Sequence, residues 1–235
     1  MSPLPAGEVH VWVADLRVDR GRRQQLERHL SPDERARAAR FRRQSDRDRF
    51  VAARGLLREV LADRLGLPPD RVEMTATETG KPRLASASGD LRFNASRSGE
   101  RAAFALASAR EVGVDVELVR DDLDVDTVAR RALSPAELRA WTQLPAAGRA
   151  AAFFAAWARK EAYAKGRGEG LALGLDRIET EPVAGRPGRL RVVEPGAETG
   201  WEACDLDAGH GYVAAVAAEG AGWALEAHSL VGERG

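Results

Sequence analysis

Asp115 and Glu117 stand two residues apart in Val112-Gly113-Val114-Asp115-Val116-Glu117, an alternating segment that reads as a β-strand with both carboxylates on one face. Like charges side by side repel, and a divalent cation relieves them; oxygen-only donors point to Mg²⁺ or Mn²⁺. An edge strand with its polar face in water would show the same spacing. A second group lies in Trp157-Ala158-Arg159-Lys160-Glu161-Ala162-Tyr163-Ala164-Lys165. At helical spacing Trp157, Glu161 and Lys165 share a face, with Lys160 beside it. A Glu four residues before a Lys is also an ordinary surface ion pair. The chain has 36 basic residues, yet Lys81, Lys160 and Lys165 are its only lysines, and two of the three fall in this stretch. The third, in Gly80-Lys81-Pro82, occupies a turn. Asn94-Ala95-Ser96-Arg97-Ser98-Gly99 reads as a polar loop suited to an anion.

Other chemistries are excluded by pattern. Gly166-x-Gly168-x-Gly170 follows a helix and not a strand, so it is no dinucleotide fingerprint. No Gly precedes Ser98 by two positions, so it is no nucleophile elbow. The histidines at 10, 29, 210 and 228 lack ligand spacing and, with Cys204, read as structural.

The elements that must position these groups occur twice. At an offset of 103, the strand at 9–14 aligns with 112–117, Leu30-Ser31-Pro32-Asp33-Glu34 with Leu133-Ser134-Pro135-Ala136-Glu137, and Phe50-Val51-Ala52-Ala53 with Phe153-Phe154-Ala155-Ala156. Asp70-Arg71-Val72-Glu73 meets Asp176-Arg177-Ile178-Glu179 slightly later. Ser-Pro-x-Glu is a capping box with Pro at the position needing no N–H. Long helices are predicted over about 47–65 and 148–166, each closed by a Gly-Leu pair at 66–67 and 170–171. Short strands are predicted near 70–76, 91–95 and 102–108, mirrored near 176–181, 189–193, 201–206 and 212–218. Strands and helices do not strictly alternate, so the expected class is α+β, a pseudo-dimer of two similar halves, 1–111 and 112–235.

The 36 basic residues balance 36 acidic ones among 235, which argues against a nucleic-acid partner. The balance conceals a bias: residues 1–111 carry a net +6 and residues 112–235 a net −6. The lack of a long apolar run argues against a membrane span, and the lack of a secretory leader and the single cysteine argue for the cytoplasm. A monomer is expected, because the pseudo-dimer already supplies an internal interface.

Taken together, Gly113-Val114-Asp115-Val116-Glu117 and Trp157-x-x-Lys160-Glu161-Ala162-x-x-Lys165-x-x-Gly168-x-Gly170-Leu171 resemble the signature pair of Sfp-type 4′-phosphopantetheinyl transferases. Gly80-Lys81-Pro82, Phe93-Asn94-x-Ser96-x-Ser98-Gly99 and Ser31-Pro32 match further motifs in order, so the resemblance covers about residues 9–218. It implies a two-half α+β fold with the active site in the cleft between halves. It implies Mg²⁺ on Asp115, Glu117 and Glu161, and Lys160 and Lys165 on the pyrophosphate of coenzyme A. Lys81 and Ser96 would hold the 3′-phosphoadenosine end, with Arg37, Arg49 and Arg54 as further contacts. Arg97 stands where the family usually has His, and as a permanent cation it can bind phosphate bidentately. The implied reaction moves the 4′-phosphopantetheine group to a serine of an apo acyl or peptidyl carrier protein, with Glu161 as base and Lys165 assisting, releasing adenosine 3′,5′-bisphosphate. A metal-dependent nucleotide or coenzyme A phosphohydrolase and a non-catalytic coenzyme A-binding paralogue are the alternatives.

Overall fold

A computed structural model describes residues 4–85, 89–120, 122–169, 174–182, 186, 188–195 and 197–230. The first half runs β1 (Glu8–Asp15), α1 (Arg20–His29), α2 (Pro32–Ala39), α3 (Gln44–Leu65), a 3₁₀ turn (Pro69–Arg71), β2 (Met74–Ala76), β3 (Pro82–Leu84), β4 (Leu91–Ser98) and β5 (Arg101–Ser108). The second runs β6 (Val112–Leu118), α4 (Val125–Ala132), α5 (Pro135–Thr142), α6 (Ala146–Arg167), a 3₁₀ turn (Leu175–Arg177), β7 (Glu179–Pro182), β8 (Arg189–Glu194), β9 (Ala197–Leu206) and β10 (Tyr212–Glu219), followed by β11 (Ala224–Leu230).

The repeat expected from sequence is present element for element. Strand order is β11-β1-β5-β4 in one sheet and β6-β10-β9-β8-β7 in the other, with β2-β3 as a detached hairpin. Thus β1-β5-β4 corresponds to β6-β10-β9. Ser31 and Ser134 form complete capping boxes with Glu34 and Glu137. The two long helices are each 22 residues and end on left-handed glycines, Gly66 and Gly168. The expected closing pair Gly170-Leu171 lies outside the described residues, and α6 stops two residues earlier.

Helices cover the outer face of each sheet. Trp12, Ala14, Phe93, Phe104 and Leu106 pack on α1–α3, and Ala203, Ala215 and Ala217 pack on α6. The inner faces meet in a third core of small residues, among them Val9, Val11, Ala103, Ala105, Val112, Val114, Val116 and Val216. Small side chains let the two sheets approach closely, so the halves share one interior.

The structure departs from the sequence reading, or adds to it, in four places. Residues 94–98 are no loop: they complete β4, at the edge of the first sheet. The boundary at 111/112 is crossed, because β11 pairs in parallel with β1 and so joins the first-half sheet. Helices α1 and α4 had no place in the sequence reading. Residues near 70 and 176 form 3₁₀ turns ahead of their strands. No helix among the described residues is long and apolar enough to cross a membrane.

Candidate active site

Strand β6 lies at the edge of its sheet, but that edge does not face water. Val114 N donates to Asn94 Oδ1 (3.0 Å) and Leu118 N to Ser98 Oγ (3.2 Å), so side chains of β4 satisfy backbone groups of β6. The same register brings hydroxyls onto the carboxylates: Ser96 Oγ donates to Asp115 Oδ1 and Ser98 Oγ to Glu117 Oε2, both at 2.8 Å. The period of two on both strands repeats this contact between the halves. Asp115 is fully buried, so the solvated-face alternative fails for it.

Helix α6 crosses this face at backbone contact. A Cβ on Gly113 would stand 1.9 Å from Ala162 O and 2.3 Å from Gly166 N. Only glycine permits that approach, which sets the helix residues Glu161 and Lys165 over Asp115 and Glu117. Lys165 Nζ donates to Asp115 Oδ1 (2.5 Å) and to Ser96 Oγ (3.0 Å). Burial raises the Asp115 carboxyl above its ordinary range despite Lys165 and Ser96. Burial likewise raises Glu117, with Asp115 adding to it, and raises Glu161, where Asp115 and Glu117 add and Lys165 opposes. Three carboxylates thus share one ammonium in a partly desolvated spot.

That imbalance, together with the donor chemistry, fits a hard divalent cation. Asp115 Oδ2 is buried and has no hydrogen-bond partner among the described residues, a costly state unless something positive meets it. The set is not closed, since among the described residues no group of three or more His, Cys, Asp or Glu side chains stands arranged to hold a metal ion.

On the first half, Arg37, Arg54, Ser96 and Arg97 line a pocket of about 150 Å³ floored by Phe50, Ala95 and Phe104. Arg97 lies over the rings of Phe41 and Phe50, at 5.9 and 5.8 Å, and Arg37 over Phe50 at 5.4 Å. Burial and the neighbouring Arg37 and Arg49 lower the Arg97 guanidinium, with Asp46 opposing, so like charges are gathered there. Such a cluster invites an anion. Arg54 is tethered by Glu34, its Nε donating to Oε1 at 2.6 Å, and Arg49 by Asp46 at 3.2 Å. Lys81 is in a neighbouring pocket of about 510 Å³ with Arg83, Arg92, Leu91 and Phe93. Its ammonium reaches Glu111 Oε2 and Gly166 O, each at 2.5 Å, at the C-terminal end of α6. Both pockets border β4.

Lys160 does not join the cluster around Asp115. It is fully buried, its Nζ donating to Ala132 O (2.7 Å) and Leu175 O (2.9 Å) and pairing with Glu137. One step along a helix turns a side chain by about 100°, which carries Lys160 away from the face of Glu161. Trp157 packs in the second-half core against Phe153, 5.8 Å between centroids. Asn94 and Ser98, expected only as part of an anion-holding loop, instead serve β6, Asn94 accepting from Val114 N and Ser98 donating to Glu117; alternation of polar residues along 94, 96 and 98 is the signal for this.

The 4′-phosphopantetheinyl transferase superfamily model matches residues 111–217, and the model of the N-terminal part of 4′-phosphopantetheinyl transferases matches residues 20–110. The chain is 36% identical over 222 residues to 4′-phosphopantetheinyl transferase HetI of Nostoc sp. strain PCC 7120, covering 94% of this chain and 91% of that protein. It is 32% identical over 177 residues to the L-aminoadipate-semialdehyde dehydrogenase-phosphopantetheinyl transferase of Xenopus laevis (69% and 58%). Identity to 4′-phosphopantetheinyl transferase psf-1 of Bacillus pumilus is 32% over 152 residues (65% and 64%).

Proposed function

We propose, from the premise that the chain belongs to the 4′-phosphopantetheinyl transferase superfamily, that it moves the 4′-phosphopantetheine group of coenzyme A to a serine of an apo acyl or peptidyl carrier protein. The observation that carries this reading is the meeting of Ser96, Asp115 and Lys165 between the halves, with Asp115 Oδ2 left unpartnered. Asp115, Glu117 and Glu161 would hold Mg²⁺ or Mn²⁺. When bound, the ion supplies charge neutralisation and Lewis acidity at the pyrophosphate.

The remaining work falls to the chain's own residues. Lys165 Nζ, shared between Ser96 and Asp115, would offset charge on the phosphate that leaves. Arg37, Arg54 and Arg97 would form the cationic wall for the 3′-phosphate, with the charge of Arg49 close to Arg97, and Lys81 with Arg83 and Arg92 would line the adjoining pocket for the nucleotide end. Glu161 is the carboxylate with no hydrogen-bond donor among the described residues. Its raised affinity for protons suits it to take the proton from the carrier serine hydroxyl as the oxygen attacks the β-phosphorus of coenzyme A. The P–O bond to the bridging oxygen breaks, and adenosine 3′,5′-bisphosphate carries that oxygen away. Such transfers depend on alignment and charge neutralisation more than on covalent help.

The test is to incubate the chain with coenzyme A, Mg²⁺ and an apo carrier protein and to weigh the carrier by mass spectrometry. A gain equal to one phosphopantetheine group supports the transferase. Coenzyme A breakdown without that gain points to the phosphohydrolase, and neither change points to a non-catalytic binder.

A further inference from the structure

Lys160 and Arg58 are the same device in the two halves. Each lies on a 22-residue helix, eight residues before the left-handed glycine that ends it. Each is almost wholly buried, at 0% and 3% exposure. Arg58 Nε donates to Glu34 Oε2 at 2.6 Å, and its Nη1 donates to Pro69 O at 3.1 Å and Val72 O at 2.9 Å. Lys160 pairs with Glu137 and donates to Leu175 O. Glu34 and Glu137 are the N3 residues of the two capping boxes, each also accepting from its N-cap amide, at 2.9 and 3.0 Å. Pro69 and Leu175 each begin the 3₁₀ turn that follows the long helix. A buried cation therefore ties three elements together twice in one chain: long helix, short-helix N-cap and 3₁₀ turn.

The residue after each cation separates the halves. Glu59, after Arg58, is engaged by Arg22 and His29, with contacts of 2.8 and 3.1 Å. Glu161, after Lys160, accepts no hydrogen bond among the described residues. In the second half the tie thus holds a helix whose next residue has no hydrogen-bond partner among the described residues.

We propose that Lys160 is a positioning residue, pinning the part of α6 that carries Glu161 and Lys165 to the N-cap of α5 and the 3₁₀ turn at Leu175, and that it makes no contact with coenzyme A. The proposal rests on the transferase reading for its kinetic consequence and on the structure alone for the anchor. The three N–H donors of its fully buried ammonium meet Ala132 O, Leu175 O and Glu137, and Asp176 and Glu179 add negative potential around it. An ammonium so enclosed has no free face for phosphate. Its removal leaves Glu137 facing the gap and loosens the seat of the helix.

Three variants test this: Lys160→Met, Glu137→Gln and the two combined, each followed through kcat, KM for coenzyme A and amide hydrogen exchange over 158–167. A pin predicts that each single variant lowers kcat about 10-fold or more with KM for coenzyme A within about twofold. The combined variant should be no worse than the worse single, because both break one contact. A phosphate contact predicts the reverse, with Lys160→Met raising KM for coenzyme A severalfold and Glu137→Gln leaving kcat unchanged. Either of those results overturns the proposal. If Lys160→Met does not fold, Glu137→Gln decides alone. If the wild-type chain leaves the carrier's mass unchanged, the transferase reading fails while exchange still judges the anchor. Faster exchange over 158–167 in Glu137→Gln supports it, and unchanged exchange refutes it.

Discussion

Lys165 Nζ lies 2.5 Å from Asp115 Oδ1 and also donates to Ser96 Oγ, so one ammonium on α6 serves a carboxylate of its own half and a hydroxyl of the other. Asp115 is fully buried, yet its second oxygen has no partner. Under the proposed function, a cation and a pyrophosphate would meet the groups at this junction.

Asp115→Asn and Glu161→Gln should each reduce phosphopantetheine transfer by about 100-fold or more while the melting temperature stays within about 4 °C of wild type. The fold should tolerate Asn and Gln because each amide has the shape of the carboxyl group it replaces. Carrier mass spectrometry and thermal melts check the two halves of this statement. A variant with near-wild-type turnover would remove that residue from the site.

Arg97→His should make coenzyme A recognition depend on pH where the native residue does not. A histidine near its ordinary pKa of about 6.5 is a cation below that value and neutral above it. Arg37 and Arg49, which already bear on position 97, would lower it further. The ratio of variant to wild-type KM for coenzyme A should therefore rise as pH goes from about 6 to about 8. A flat ratio would mean that residue 97 makes no ionic contact with the coenzyme.

Gly113→Ala should destabilise the chain by about 3 kcal/mol or more, because its Cβ meets backbone atoms at 1.9 and 2.3 Å that have no rotamer to yield. Urea denaturation measures the loss. Transfer should fall as well, since α6 cannot shift off β6 without moving Glu161 and Lys165. A near-neutral Gly113→Ala would mean that the helix does not rest on the strand.

Glu34 should contribute to acid sensitivity. Burial pushes its carboxyl up, but the Arg54 charge, the Ser31 amide and Arg58 outweigh that and hold it below the ordinary value. A carboxylate depressed in the folded state stabilises the fold above its unfolded pKa, about 4.3. That contribution is lost as pH falls from there through the lower folded value. Glu34→Gln should cost about 3 kcal/mol at neutral pH by leaving Arg58 buried without its counter-charge. It should also flatten the fall in stability below about pH 4.5, as read by urea midpoints at successive pH values. An unchanged acid slope would refute this assignment.

Features encoded locally were legible in the sequence. The two capping boxes, the long helices and the shared face of Asp115 and Glu117 each follow from neighbours a few residues apart. Features that depend on distant partners were not. Residues 94–98 look like a loop because Asn and Ser favour turns, yet they are polar in order to serve the carboxylates and edge amides of β6. Lys160 adjoins Glu161 in sequence, but its surroundings come from α4, α5 and the turn at Leu175. Helix α1 buries only Leu26 among its ten residues, leaving no apolar stripe to detect. Its contact with α3 depends on Gly55, where a Cβ would stand 2.6 Å from Leu26 Cβ.

Strand β11 forms one edge of the first-half sheet, in register with β1 from Glu8↔Ala224 to Ala14↔Leu230. During synthesis β1 leaves the ribosome more than 200 residues ahead of β11, so the N-terminal sheet remains one strand short until the second half has emerged. The outer edge of β1 is open throughout that interval to any other extended chain. Closure comes late, through contacts separated by more than 200 positions, the kind that slow folding most. It also makes the two halves interdependent, because the first is finished only by a segment that follows the second.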